Sequence, residues 1–460
     1  MENNEKLPGK IAYAPGISNA VLQFTYSVSG SYFTFFITDI CMLSALVMGS
    51  ISFVSSIATL ISIFIWGAVF QYSNTKSGRY RPWIMPIMIC VFAGYAVMYY
   101  NWGLSQGLWA ALIIAGYSLA NIGVSGIGVA SYGLTAKLGK TEDERSRMVS
   151  FQNLTHIIAR IASTAIILPI IIFVGGSRTA PEGYFAYFAG FSFLAVFGYY
   201  YLYRVTKPYD IYDPNFKSST RVTPADMFKA LGSSPKLLIF FLSEVVYELL
   251  YLCKTFGMVY FVTYICGDLT DYAIYTALNP IGGLAGAAIA SSLIKAKAEK
   301  IKLSAAFFSL QIATFAAAAV LAYSGSISTV VFISIILTGD FANSAQRATL
   351  PIFYMDLAEY TYAKTDKDVT PIVMALANVP FKFAFGASAG IVGLVLANTG
   401  YIANAVQTAA AQRGIIFAVC ILPVIGIAQF CIMLLTVYKL NKETVAQIYA
   451  ENAEKRAAAG

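Results

Sequence analysis

Two apolar runs, at about residues 43–70 and 83–101, flank the charged stretch 71–83, QYSNTKSGRYRPW. Each run reaches the length of about 20 residues that crossing a bilayer requires. Lys76, Arg79 and Arg81 lie between them, and basic residues in such short loops are retained on the cytoplasmic side. Arg79 and Arg81 alternate about Tyr80, and Pro82-Trp83 opens the next run at an aromatic interface position.

The pattern repeats along the chain. About twelve spans are expected, near 12–37, 43–70, 83–101, 108–136, 148–175, 184–204, 237–265, 270–295, 302–323, 328–355, 371–397 and 415–438. Hydrophobic residues make up 58% of the chain and charged ones 12%, roughly half the charged share of a soluble domain. The 31 Tyr and 32 Phe suit interfacial belts and a ring-lined cavity. A net charge of +8 would suit nucleic acid, but the basic residues sit in short loops between apolar runs, which argues against that partner. Cys41, Cys90, Cys253, Cys266, Cys420 and Cys431 show neither a CxxC nor a metal-ligand spacing and read as small apolar residues. The polar start MENNEKLPGK carries no signal-peptide core.

The loops alternate in charge. One side takes Lys6 and Lys10; Lys76, Arg79 and Arg81; Lys137, Lys140, Arg145 and Arg147; and the segment from Arg204 to Lys236. It also takes Lys295, Lys297, Lys300 and Lys302; Lys364 and Lys367; and Lys439, Lys442, Lys455 and Arg456, against only Arg178 and Arg413 opposite. Both termini and the long middle loop are therefore expected to be cytoplasmic. The expected organisation is a six-helix bundle over 1–204, a Pro-, Asp- and Ser-rich loop over 205–236, a second six-helix bundle over 237–438 and a tail over 439–460. Two such halves are the layout of a transporter that holds its solute near the midplane.

At Gly78-Arg79-Tyr80-Arg81-Pro82-Trp83 the chain resembles the glycoside–pentoside–hexuronide:cation symporters, the melibiose-carrier branch of the major facilitator superfamily. Agreement continues at Thr38-Asp39, at Glu144-Arg145, at Tyr354-Met-Asp356-Leu-Ala-Glu359-Tyr360 before Lys364-Thr365, and at Gly400-Tyr401 with Asn404-Ala405-Val406-Gln407 and Arg413-Gly414. The resemblance covers essentially the whole chain. It implies an all-α membrane fold of twelve transmembrane helices in two six-helix bundles.

It also implies site positions. The paired helix-two carboxylates of the sodium-coupled members fall on Thr59 and Ile63, with Ser62 between them and a helix-four hydroxyl at Ser118. Thr59, Ser62 and Ser118 supply oxygens but no charge for a cation. The aspartates that hold sugar hydroxyls in galactoside carriers fall on Gln23 and Asn121. The helix-four tyrosine is kept as Tyr117, a tryptophan position reads Ser125, and a helix-five arginine position reads Asn153. Lys382, nineteen residues before Tyr401, keeps the helix-eleven lysine.

Charges inside the spans each ask for a partner or a purpose, since a charge at the bilayer centre costs at least a few kcal/mol. In FFLSEVVYELLYLCKTF, the residues Glu244, Tyr247, Glu248, Tyr251, Lys254 and Thr255 share an arc of about 120° at helical spacing. Glu244 and Glu248 are candidates for carrying a proton; the plainer reading pairs them with Lys254 or with basic groups of the other half. Asn153, His156 and Arg160 share one face of span five. Arg160 together with Lys382 would suit an acidic solute, and Lys382 alone would suit a built-in cation. Asp340 and Arg347, seven apart in span ten, read as structural. Arg79, Arg81, Glu144, Arg145, Asp356 and Glu359 are candidates for an inner gate made of ion pairs, or simply for orientation. The glycines of span eight, Gly282, Gly283 and Gly286, read as a close-packing surface.

The expected function is a monomeric secondary active transporter of the cytoplasmic membrane, moving a glycoside-, pentoside- or hexuronide-like solute, with an acidic one favoured. Surrounded by lipid, it would couple to a proton rather than to sodium, by alternating access. The alternatives are an uncoupled facilitator or exporter of a more hydrophobic molecule, and a membrane sensor or partner-binding protein. No cofactor or metal is expected, and one histidine with no nucleophile–base set argues against an enzyme.

Overall fold

Long helices joined by short loops account for nearly all of the structure, a computed structural model describing residues 8–139, 141–212, 229, 231–267, 269–295, 299–365, 369–377 and 379–459. Lys6, Lys140, Lys297 and Lys367, and much of the 205–236 loop, lie outside the described residues. The chain divides into two compact units, Met1–Arg221 and Val222–Gly460.

The first unit holds α1 (Ala14–Phe35, extended by the π turn Phe36–Ile40), α2 (Ala45–Tyr72), α3 (Arg81–Tyr99), α4 (Gln106–Leu138), α5 (Glu142–Gly175) and α6 (Pro181–Val205). The starts follow local chemistry. Ser44 accepts from the Val47 N–H at 3.3 Å and Thr141 from that of Glu144 at 3.2 Å. Pro82 and Pro181 sit in first turns, where a missing N–H costs nothing. α1 packs on α5 and α6, α3 on α4 and α6, and α2 on α4.

The second unit holds α7 (Pro235–Phe261, extended by Val262–Cys266), α8 (Leu269–Lys295), α9 (Lys300–Tyr323), α10a (Thr329–Arg347), α10b (Leu350–Thr365), α11 (Thr370–Leu376 and Val379–Asn398) and α12 (Ala409–Tyr438, with two π stretches). A final helix, α13 (Lys442–Ala459), packs on α10b. α7 lies against α11 and α12, and α10a against α8 and α9. The glycine surface read in span eight is a close contact: a Cβ on Gly286 would stand 2.1 Å from the Phe341 carbonyl oxygen. Lipid tails give helices no hydrophobic reason to associate, so such backbone approach carries much of the packing.

α10 is interrupted at Ala348-Thr349. Pro351 has no N–H for the Arg347 carbonyl, and its ring clashes with that carbonyl. The Thr349 hydroxyl repairs part of the break, donating to Gln346 O at 2.7 Å and meeting Ser304 Oγ at 2.9 Å. Among the described residues nine helices are long and apolar enough to cross a membrane. Of the other long helices, α1 with its π turn, α7 and α10 carry buried polar and charged residues, Asp39 among those of α1.

Candidate functional site

The stripe on α7 is buried and bonded to α10 rung by rung. Glu244, Tyr247, Glu248, Tyr251 and Lys254 are all buried. Lys254 forms an ion pair with Asp340, both side chains 5% exposed. Asp340 also accepts from Tyr251 at 3.0 Å, Tyr275 at 2.7 Å and Asn279 at 2.6 Å. One turn along, Asn343 donates to the Tyr247 hydroxyl at 2.6 Å. Arg347 Nη2 then reaches Glu248 Oε1 at 2.6 Å and Oε2 at 2.5 Å. The last rung is Tyr354, which donates to Glu244.

This pairing differs from the expected one. Glu248 takes Arg347 of its own unit, not Lys254, and Lys254 takes Asp340. Asp340 and Arg347 do share a face, but each answers a separate group on α7. Desolvated charges persist only when paired and hydrogen-bonded, and here three carboxylates face two cations.

In the first unit Gln23 and Tyr117 are buried, while Asn121 and Arg160 are half-buried and Asn153 and His156 exposed. Tyr117 is hydrogen-bonded to the Asn121 side chain and stacks on Phe33 at 4.2 Å. Tyr26 lies within electrostatic reach of both Tyr117 and Arg160, so α1, α4 and α5 bring these residues to one region. A second polar cluster was not foreseen. Asn19 donates to Gln152 at 3.4 Å and accepts from Ser131 at 3.3 Å and from Tyr199, while Gln152 donates to Thr135 at 2.7 Å.

The hydroxyls aligned with a cation site are turned to protein. Thr59 donates to Ser55 O and Ser62 to Thr59 O, each at 2.7 Å, and Ser118 meets the Ser55 hydroxyl at 3.1 Å. Lys382 is exposed on α11, and its neighbour Phe381 lies under the Arg347 guanidinium at 4.7 Å.

The loop after α2 is organised by a residue sequence reasoning passed over. The Asp210 carboxylate accepts backbone N–H groups of Arg79 at 3.0 Å, Tyr80 at 2.8 Å and Arg81 at 2.9 Å, and pairs with Lys137 at 2.8 Å. Burial pushes this carboxyl up, but the Lys137 ammonium and the three N–H donors outweigh burial and hold it below the usual carboxylate range. Gly78 has φ +105°, and a Cβ there would lie 2.2 Å from Asp210 O. Arg79 donates to Phe70 O at 2.5 Å; buried Arg81 donates to Tyr203 O at 2.9 Å. Glu144 donates its N–H to the Thr141 cap, and Arg145 donates to Gly139 O at 2.8 Å. In the second unit buried Asp356 pairs with Lys300 and accepts from Tyr438 at 2.6 Å. Glu359 accepts from Asn452 of α13 at 2.6 Å.

The family model described as MFS/sugar transport protein matches residues 12–442. The chain belongs to this family. As an MFS/sugar transport protein it is a multi-pass membrane transporter, not an enzyme, and the symporter kinship read at Gly78–Trp83 is borne out. The isoprimeverose transporter of Lactiplantibacillus pentosus is 22% identical, over 98% of this chain and 94% of its own length. The putative glycoside/cation symporter YagG of Escherichia coli is 21% identical, over 98% and 96%. Among solved structures, a D-xylose–proton symporter matches with TM-score 0.63 at 16% identity, over 93% of this chain and 97% of that one. A bacterial homologue of the lysosomal transporter Spinster matches with TM-score 0.69 at 13% identity, over 95% and 99%. Both likenesses concern the fold alone, the all-helical major facilitator fold.

Within that family frame, the polar residues the sequence did not single out include Asp210, Tyr26, Asn19, Gln152, Tyr275, Asn279 and Asn343. Asn343 carried a readable signal, since it lies between Asp340 and Arg347 at helical spacing, facing the α7 stripe.

Proposed function

We propose that this transporter moves a glycoside-, pentoside- or hexuronide-like solute of acidic character across the cytoplasmic membrane by alternating access, driven by protons rather than sodium. The observation that carries the reading is the α7–α10 charge ladder, in which, among the described residues, Glu244, Glu248 and Asp340 have Lys254 and Arg347 as their cations. The surplus carboxylate is the charge a proton would neutralise. Thr59, Ser62 and Ser118 offer a sodium ion hydroxyl oxygens but no carboxylate to balance its charge. The names of the relatives support a glycoside-like solute and a coupling cation.

In this reading Gln23, Tyr117, Asn121, Asn153, Arg160 and Lys382 contact the solute, and Glu244 and Glu248 carry the proton. Arg81 and Asp356 hold their loop ends rigid, so that Arg79, Glu144, Arg145 and Glu359 act as parts of a gate. In the same reading the protein acts as a monomer with both termini and the 205–236 linker on the cytoplasmic side, as its basic loops favour.

Counterflow in proteoliposomes tests this, with neutral and acidic sugars, sodium or potassium buffers, and an imposed pH gradient. The expected result is counterflow of acidic sugars and accumulation driven by the pH gradient without sodium. Sodium-dependent counterflow of neutral sugars alone would overturn it.

A further inference from the structure

The two ion pairs of the ladder are not equivalent. Lys254 and Asp340 are each 5% exposed, sealed from both sides. In the other pair Glu248 is fully buried, whereas the Arg347 side chain is 30% exposed. A guanidinium open to hydrocarbon would cost roughly 2.5 kcal/mol or more, so the open part of the Arg347 side chain is expected to face water or a polar ligand. Only Nη2 is engaged, by Glu248; among the described residues Nε and Nη1 donate to no protein group. The Phe381 ring lies under the guanidinium at 4.7 Å and covers one of its faces. Each bidentate edge of a guanidinium, Nε with Nη2 or Nη1 with Nη2, includes Nη2, so a solute carboxylate taken in bidentate fashion has to displace Glu248 from that nitrogen.

We propose that Arg347 binds the carboxylate of the solute, which its open Nε and Nη1 donors meet first, with Glu248 as the resting counter-ion that the solute displaces from Nη2. This rests on the reading of the chain as a transporter of an acidic sugar, and it moves the anion-binding role to a residue that sequence reasoning treated as structural. Phe381 holds the plane of the guanidinium, and the exposed Lys382 beside it adds positive charge to the approach. The break in α10 directly after Arg347 leaves its carbonyl without the usual helical partner, so this turn can shift as the guanidinium changes hands. Because one guanidinium serves two carboxylates, neutralising Glu248 strengthens the hold on the solute, and neutralising Arg347 removes it.

The test uses the full-length protein in proteoliposomes, with counterflow of glucuronate and galacturonate set beside glucose and galactose. The variants are E248Q, R347Q, R347K and the double variant E248Q/R347Q, with thermal unfolding in detergent as the check on folding. The wild type is expected to exchange the uronates. E248Q is expected to half-saturate at about tenfold lower uronate concentration, equivalent to about 1.4 kcal/mol. R347K should retain weak uronate exchange. E248Q/R347Q should unfold near the wild-type temperature and still exchange no uronate. A double variant that regains uronate exchange, or an E248Q that binds uronates more weakly, would overturn the assignment of Arg347 while leaving the transport reading intact. A wild type that exchanges only the neutral sugars, or neither class, would sink that reading and the proposal with it.

Discussion

Arg347 meets both carboxylate oxygens of Glu248 with one nitrogen, at 2.6 and 2.5 Å, across the space between α10a and α7. Glu248 is fully buried, so its charge has no solvent to fall back on. Removing one member of a buried pair typically costs about 3–5 kcal/mol, whereas replacing both with neutral groups is far milder. R347Q alone is therefore expected to lower the unfolding temperature in detergent sharply. E248Q/R347Q should recover most of the loss, and additive losses in the double variant would contradict the pairing.

Asp210 ties the loop after α2 to the end of α6, and its contribution depends on pH with a definite sign. Its pKa is depressed in the folded state, so the stabilisation is present above the ordinary carboxylate pKa and lost as pH falls through the folded value. D210N is expected to cost about 2 kcal/mol near pH 7, the scale of hydrogen bonds to a charged group. The gap between wild type and D210N in thermal unfolding should close below about pH 4. A gap that is unchanged down to pH 3 would remove the carboxylate from the account.

Gly78 gives a separate check on the same loop. At φ +105°, with Asp210 O 2.2 Å from the position of a Cβ, G78A meets both backbone strain and a clash. A loss of about 2 kcal/mol or more is expected, read as a lower unfolding temperature. Combined with D210N, the loss should fall short of the sum, because both changes disrupt one contact.

Asn452 is fully buried and donates to Glu359 O at 2.9 Å and to Glu359 Oε2 at 2.6 Å. These bonds dock α13 on α10b. N452L leaves the Glu359 groups without that donor, a loss of about 1–3 kcal/mol. Since α13 is mostly exposed, the change should appear locally, as faster amide exchange and proteolysis over 442–459. Unaltered protection there would show that apolar contacts alone hold the helix.

How much of this could be read from the sequence depends on the range of the interaction. The spans were legible because a bilayer imposes a length and an apolar composition that no other solvent does. The α7 stripe was legible because Glu244, Tyr247, Glu248, Tyr251 and Lys254 recur at steps of three or four along the helix. Its partners were not, since they depend on α10a facing α7 and on the break that Pro351 places after Arg347. Asp210 was hidden for a similar reason. It lies 130 residues beyond the Tyr80 N–H it accepts, and nothing local marks an aspartate in PYDIYD as a loop anchor. The hydroxyls Thr59, Ser62 and Ser118 were read from the family pattern as oxygens for a cation. The sequence could not reveal that their protons go to Ser55 O, to Thr59 O and to the shared contact of Ser118 with the Ser55 hydroxyl.

The most direct test of the central claim is the accumulation of labelled glucuronate by proteoliposomes under an inward proton gradient, comparing wild type with E248Q. The account expects the wild type to concentrate the sugar acid in sodium-free buffer. E248Q should exchange it across the membrane without concentrating it. If E248Q accumulates glucuronate as well as the wild type does, the ladder between α7 and α10 does not carry the driving proton.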